Sequence, residues 1–317
     1  MAEGPCLPLF STLVRLLDFP RLRTVAVNEP RGALEAALTF EHKYCLFLRA
    51  ADRAGGGLPE GALFAALGDV VLNGAPSQPT SLIVGANKGA TTGDGATTDP
   101  AFTTLMGDAR FALWSKVFVE PIPSIFAALQ ANIAKSAGAL TPAVAVNAAV
   151  SDRDARLVMY CWKLDAEGNV DYAAFSALGM TAHSWMAGTC SLSKQRLFSA
   201  YDFSFFSALS IEQERSLLQE VDVAGMTFAS IMRSAGIALD TVKYLQIDAE
   251  GHDAVLLHLL PWHDDTFKPA LVNFESVLLS HEDLARIERV LTKAGYTVRA
   301  TTHQTRLWAF SNCSSSE

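Results

Sequence analysis

The chain has 317 residues, half of them hydrophobic, with 33 acidic against 25 basic side chains and a net charge of -8 at pH 7. This length buries a sizeable core and admits one large domain or two small ones. The acidic balance, with no Lys/Arg-rich block, argues against nucleic acid and anionic membrane as main partners.

The apolar stretch at 7–17 is broken by Pro8 and Arg15, and no basic n-region precedes it. It falls far short of the roughly 20 residues that a membrane span needs. A soluble, cytoplasmic protein is expected. Cys6, Cys45, Cys161, Cys190 and Cys313 are odd in number, and no two are close in sequence. With no CxxC pair, neither a zinc ribbon nor a dithiol redox site is indicated, and free thiols in a reducing compartment are expected.

Residues 1–79 show little strand character. Mixed helical spacing predicts helices over 33–49 and 60–72, the second with Leu63, Phe64 and Leu67 on one face. A glycine-rich break at 54–57 separates them, and a turn-rich linker at 73–79 leads onward. This region reads as a helical cap. From Ser81 strands and helices alternate, with strands expected at 81–84, 116–119, 143–147, 243–247, 270–274, 296–300 and 305–310. The alternation predicts an α/β fold with a mainly parallel sheet and crossover helices, over 80–313.

The clearest helix is 281–294, with Ser280 as N-cap, Glu282 and Asp283 in its first turn, and Gly295 closing it. The last two strands are only a few residues apart and must pair as an antiparallel hairpin, since a parallel pair needs a longer crossover. Residues 163–220, with the aromatic run at 201–206, interrupt the alternation. They read as an insertion over the mouth of a pocket or as a segment packed on the sheet. Residues 314–317 read as a frayed tail.

Ligands of open α/β sheets bind beyond the C-terminal ends of the strands, so the residues there carry the functional reading. Gly85-Ala86-Asn87-Lys88-Gly89 follows the first strand, and its glycines let the backbone approach a polar or anionic ligand closely. An ordinary strand-to-helix turn has the same composition. Glu120, followed by Pro121, ends the next strand, where a carboxylate accepts the hydroxyl hydrogens of a ribose. Asn147, Ser151 and Asp152 follow the third strand and suit an adenine edge, or equally a turn. Asp248, Glu250 and His252 follow the fourth, and Glu275 ends the fifth. Clustered carboxylates raise one another's pKa, which suits a general base. Oxygen ligation of a divalent cation is the other use of such a cluster, and the metal-free version is the one favoured here. His183, His263 and His281 are isolated and read as structural or solvated.

Taken in order, these pieces resemble the FkbM family of S-adenosylmethionine-dependent methyltransferases. The resemblance covers about 81–310 outside the insertion. It rests on Val84-Gly85-Ala86-Asn87-Lys88-Gly89, Val119-Glu120-Pro121 with Asn132, Ala149-Val150-Ser151-Asp152, Ile247-Asp248-Ala249-Glu250-Gly251, and Glu275. It implies a Rossmann-like class I methyltransferase sheet with a terminal antiparallel hairpin. It implies O-methyl transfer to a hydroxyl of a sugar or natural-product-like small molecule. By the same resemblance Gly85, Ala86, Asn87 and Gly89 bind the methionine part of S-adenosyl-L-methionine, Glu120 and Pro121 the ribose, and Ser151 and Asp152 the adenine. Asp248 stands beside the cofactor, with Asp248 or Glu275 as base. Ile83 occupies the family's usual acid position, with Asp94, Asp99 and Asp108 the nearest replacements, and Gln246 stands where the family often has lysine. A nicotinamide-dependent oxidoreductase and a degenerate cofactor-binding or scaffold protein are the rival readings. The first lacks a GxGxxG turn.

Overall fold

The structure, a computed structural model, describes residues 67, 78–89, 100–136, 142–164, 170–199, 209–300 and 306–311. The chain divides into two compact units, Ser77–Ser311 and Met1–Pro76 with Asn312–Glu317. The helices expected at 33–49 and 60–72, apart from the helical residue Leu67, lie outside the described residues, as do the aromatic run, the 314–317 tail, Asp94 and Asp99.

In the 77–311 unit, β1 (Thr80–Val84) is followed by α1 (Pro100–Gly107), β2 (Ser115–Val119), α2 (Pro123–Ser136) and β3 (Ala143–Val146). Next come β4 (Ala149–Val150), β5 (Ala155–Trp162), α3 (Tyr172–Ala177), β6 (Cys190–Ser191), α4 (Lys194–Ser199), α5 (Ile211–Leu217) and β7 (Leu218–Met226). The remainder is α6 (Phe228–Ala235), β8 (Val242–Ile247), α7 (Asp253–Leu259), β9 (Leu271–Glu275), α8 (His281–Lys293), β10 (Tyr296–Ala300) and β11 (Arg306–Ser311).

Seven strands form the main sheet in the order β10-β11-β9-β8-β1-β2-β3. The five from β9 to β3 are all parallel, and β11 pairs antiparallel with both β9 and β10. The chain steps outward from β1 to β2 and β3, then returns to the other side of β1 to lay down β8 and β9. The sheet therefore reverses between β1 and β8, the place where an open α/β sheet leaves a crevice at its C-terminal edge.

Register explains how the sheet is covered. Val117, Leu82, Leu245 and Val272 form one cross-strand row, and Val119, Val84, Ile247 and Phe274 form the next. Both rows are buried in one core with Phe228, Ile231 and Met232 of α6, Leu256 and Leu257 of α7, and Ile287 and Leu291 of α8. Each such side chain contributes about 1.5–3 kcal/mol on leaving water. The opposite face alternates with it: Phe118, Ile83, Gln246 and Asn273 lie side by side. Gln246 accepts a 2.7 Å hydrogen bond from the Tyr244 hydroxyl, so this fully buried amide belongs to a core polar cluster. Helix α8 begins as its sequence predicts, with the Ser280 hydroxyl accepting the Asp283 amide at 3.1 Å.

A second sheet, ordered β4-β7-β5-β6, is absent from the sequence reading. Its frame is an antiparallel ladder from Ala155↔Gly225 to Trp162↔Leu218. The stretch read as an insertion at 163–220 is thus the connection across this ladder, and its last three residues already belong to β7. It carries its own core, in which Trp162, Phe175, Met186, Leu197, Phe198 and Leu217 pack together.

Pairing of β6 with β5 places Cys161 opposite Cys190, and the two form a disulfide with Cα atoms 4.2 Å apart. This corrects the expectation of free thiols for these two residues and removes the cysteine argument for a reducing compartment. Their 29-residue separation gives no local spacing signal, and only the antiparallel register brings them together. Cys6, Cys45 and Cys313 lie outside the described residues. No helix among the described residues is long and apolar enough to cross a membrane.

Candidate functional site

The site begins where β1 stops. Gly85 has φ +78°, and a Cβ there would lie 1.7 Å from the backbone oxygen of Asp248. Only glycine permits this approach, so the ends of β1 and β8 touch through backbone at the sheet's reversal point. The amides of Gly85 and Ala86 donate to Val119 O at 2.9 and 3.0 Å, tying the turn to the end of β2. Asn87 follows at φ +49°, a conformation that asparagine tolerates better than most residues. Gly89 closes the turn with its amide on Ala86 O at 3.2 Å. Asn132 of α2 donates to Lys88 O at 2.7 Å and holds the turn from outside.

Glu120 lies directly beyond β2 and is 5% exposed. Its Oε2 accepts the Asn87 amide at 3.0 Å, and its Oε1 accepts the Ile122 amide at 2.9 Å. Each carboxylate oxygen keeps a second lone pair for another donor. Burial pushes the Glu120 carboxyl up to about 7 against the pull of those two amides, and the Asp248 charge adds to the rise. Pro121 is held behind it, since the Asn147 side chain donates to Glu120 O at 2.8 Å and Pro121 O at 3.0 Å. Asn147 therefore acts on the backbone of the Glu120 segment, a role its position after β3 does not announce.

Four more acids gather at the ends of β8 and β9. The Asp248 amide donates to Val84 O at 3.0 Å, which aligns this strand end with the glycine turn. Glu250 takes the left-handed conformation at φ +50°, uncommon for a non-glycine residue and a frequent mark of functional sites. Burial first, then the charges of Asp248, Glu275 and Asp253, hold its carboxyl well above the ordinary range, while the Thr189 hydroxyl pulls it down. Asp253 opens α7 and is fully buried. It accepts the Ala249 amide at 3.3 Å and the Glu275 amide at 3.3 Å, so one carboxylate clamps the ends of both strands. Burial, then Asp248, raises Asp253 to about 8. The sequence reading passed over Asp253 because an acid in a first helical turn is ordinary.

The 163–220 stretch reaches this edge. A Cβ on Gly188 would come within 1.9 Å of the Asn87 side-chain nitrogen, so this strand-connecting segment lies directly on the glycine turn. Thr189, 3% exposed, bonds Glu250. Arg196 Nη1 is 3.6 Å from the Cβ position of Gly251, and its charge, after burial, lowers the His252 pKa. Residues 188, 189 and 196 of the 163–220 stretch thus lie against the strand ends.

Ser151 and Asp152 stand apart from this cluster. The Ser151 amide donates to Met226 O at 2.8 Å and its hydroxyl to Arg153 O at 2.5 Å, both in the second sheet's surroundings. Asp152 is largely exposed, 3.9 Å from Arg153 Nη1. Asp108 is engaged by Arg110, whose hydrogen bonds hold its carboxyl below the usual range. Ile83 is fully buried between Phe118 and Gln246. Among the described residues, no three His, Cys, Asp or Glu side chains are grouped so as to hold a metal ion. No protein-family model, no curated protein and no solved structure matches the chain.

Proposed function

We propose that this chain is an S-adenosyl-L-methionine-dependent methyltransferase acting on a hydroxyl of a sugar or natural-product-like small molecule. The observation that carries the reading is the contact of Gly85 with Asp248 O beside the buried Glu120 carboxylate, at the reversal point of a parallel sheet. The strand order, with antiparallel β11 inserted between β9 and β10, supports it as a class I methyltransferase topology.

The residues present fit such a cofactor. The glycine turn at the end of β1 would hold its methionine part, and Glu120 has lone pairs for two ribose hydroxyls. Pro121 stiffens the segment after Glu120, and the adenine side falls toward Ser151 and Asp152. Bound there, S-adenosylmethionine would supply a methyl group on a sulfonium, a good leaving group. The protein's part is then to hold an acceptor oxygen in line and to take its proton. Asp248 or Glu275 is the base, backed by the Asp253 clamp that sets their spacing.

Calorimetry with S-adenosylmethionine, its demethylated product and NAD tests this directly. The first two should bind, and Glu120→Ala should weaken both by about 1.5–3 kcal/mol, the range for lost charged hydrogen bonds. Unchanged affinity in the variant removes Glu120 from the site, and binding of NAD alone points to an oxidoreductase. The buried Ile83 favours one second reading, a scaffold that has lost its cofactor, which predicts no binding of any of the three.

A further inference from the structure

We propose that Thr189 is a positioning residue for Glu250, and that the Cys161–Cys190 disulfide is the strap that keeps it in place. Methyltransferase chemistry enters this inference only as the use to which the site is put; the contact stands without it. Three observations converge. The Thr189 hydroxyl bonds the Glu250 carboxylate from a nearly fully buried position. Gly188, one residue earlier, rests on the Asn87 side chain with no room for a Cβ. Cys190, one residue later, is bonded to Cys161 in the β5 ladder.

Strand β6 is only two residues long and pairs through Tyr160↔Ser191 and Cys161↔Cys190. Two ladder positions are a weak anchor, since strand pairs gain stability from their number of cross-strand contacts. The disulfide replaces that missing length with a covalent bond. Lys194 at the start of α4 adds a cation–π contact, 4.8 Å over the Tyr160 ring. The segment at 188–190 is thereby held between the second sheet and the main sheet's C-terminal edge.

Glu250 needs such a hold. It faces Asp248 from the end of β8, Glu275 from the end of β9 and Asp253 from α7, all carboxylates. Arg196 Nη1 lies near Gly251, and its charge acts on His252. Like charges push Glu250 toward its protonated form, and a hydroxyl donor favours the ionised one. Thr189 therefore favours the ionised Glu250 against those pressures, the form that best accepts a hydrogen bond from a neutral polyhydroxyl acceptor, the acceptor class that an acid-lined edge admits most easily.

The test is a carbon NMR titration of Glu250 in the full-length protein labelled with carbon-13 glutamate, assigned with Glu250→Gln. The oxidised wild type, Thr189→Val, Thr189→Ser and Cys161→Ala are compared with wild type treated with dithiothreitol. That dithiol breaks the S–S bond, each sulfur takes up a proton, and the dithiol closes to its own cyclic disulfide. Thiols at Cys161 and Cys190, labelled in denaturant and located by peptide mass, should appear on reduction. The Glu250 midpoint should move upward in Thr189→Val, return in Thr189→Ser, and move upward in Cys161→Ala and after reduction. An unchanged midpoint in Thr189→Val overturns the assignment of Thr189. Both thiols freed with no movement of Glu250, or no new thiol at either position, overturns the strap. Calorimetry with S-adenosylhomocysteine on the same samples reports separately on the methyltransferase reading, because the titration needs no bound ligand.

Discussion

Strand β2 has a buried charge at each end, and the two ends are built on opposite terms. Lys116, 1% exposed, enters from the N-terminal side and donates to Phe111 O at 2.5 Å and Trp114 O at 3.0 Å. These carbonyls end the short turn before the strand, so the ammonium closes a backbone terminus as a basic cap would. Glu120 lies at the C-terminal side, also buried, but beside the like charge of Asp248. One end pairs its charge with dipoles of the right sign; the other crowds like charges together. Buried groups held against their own electrostatics mark sites where the arrangement serves chemistry and not stability. Three residues, Val117 to Val119, separate a charge set against carbonyls from one set beside a like charge.

The largest effect should come from the backbone contact at the functional end. Gly85→Ala needs a side chain at φ +78° and 1.7 Å from Asp248 O. Neither can be accommodated without parting β1 from β8, and a loss of about 4–5 kcal/mol in urea unfolding is expected. A loss under about 1 kcal/mol would show that the two strand ends separate freely, and the crowding of carboxylates there would lose its frame.

The acids give the next effect. Asp253 is raised to about 8 and Glu120 to about 7 in the folded chain, above their unfolded values. Between about pH 4 and 8 the native state holds protons that the unfolded state has released, so stability falls as pH rises through this window. Asp253 alone contributes a fall of about 3–4 kcal/mol between pH 5 and 8. Asp253→Asn cannot ionise and should remove that share, leaving the part due to Glu120 and Glu250. Denaturation at several pH values decides; an equally steep fall in Asp253→Asn means that the clamp is not under electrostatic load.

Much of this edge is legible in the sequence. The glycine turn, Glu120 and the acids after β8 and β9 stand at strand ends, and a parallel sheet puts all such ends on one side. The hairpin of β10 and β11 follows from loop length, and α8 from its Ser280 cap. What stayed hidden depends on register and long-range approach. The second sheet rests on a ladder between β5 and β7 whose strands are 56 positions apart (218 − 162) at their near ends, Trp162 and Leu218 in pairing, with no short turn to announce it. The disulfide needs the two-residue β6 to be in one particular register. Thr189 is a lone hydroxyl in a segment without periodicity, and Asp253 looks like any acid that opens a helix. Asp152, prominent in the motif, is exposed beside Arg153.

Lys116 should reverse the pH trend. Burial lowers its pKa to about 8, below the unfolded value, so from about pH 8 upward the native state sheds its proton before the unfolded state does. Stability should then rise by about 1–2 kcal/mol between pH 8 and 10, giving the chain a minimum near pH 8. The Tyr296 phenol, raised by burial and donating to Pro269 O at 2.8 Å, acts in the opposite direction only above its ordinary range. Lys116→Met should abolish the rise and leave the fall below pH 8 untouched. A rise that survives in Lys116→Met would break the contrast between the two ends of β2.

The smallest effect is the most pointed. Glu120→Gln keeps the shape of the side chain and removes its charge. The amide has one oxygen for two backbone donors, Asn87 N and Ile122 N, so one of them loses its partner, at about 1 kcal/mol. At pH 5 the native carboxyl is already protonated, and the variant should be less stable than wild type by about that amount. At pH 8 the wild-type carboxylate is ionised while buried beside Asp248, a burden that the amide does not carry. The difference should therefore shrink to zero or reverse between pH 5 and 8, while binding of S-adenosylhomocysteine weakens at both. The measurement is paired urea unfolding of wild type and variant at the two pH values. A constant deficit would mean that the Glu120 charge carries no added burden beside Asp248, and that the two ends of β2 are both structural.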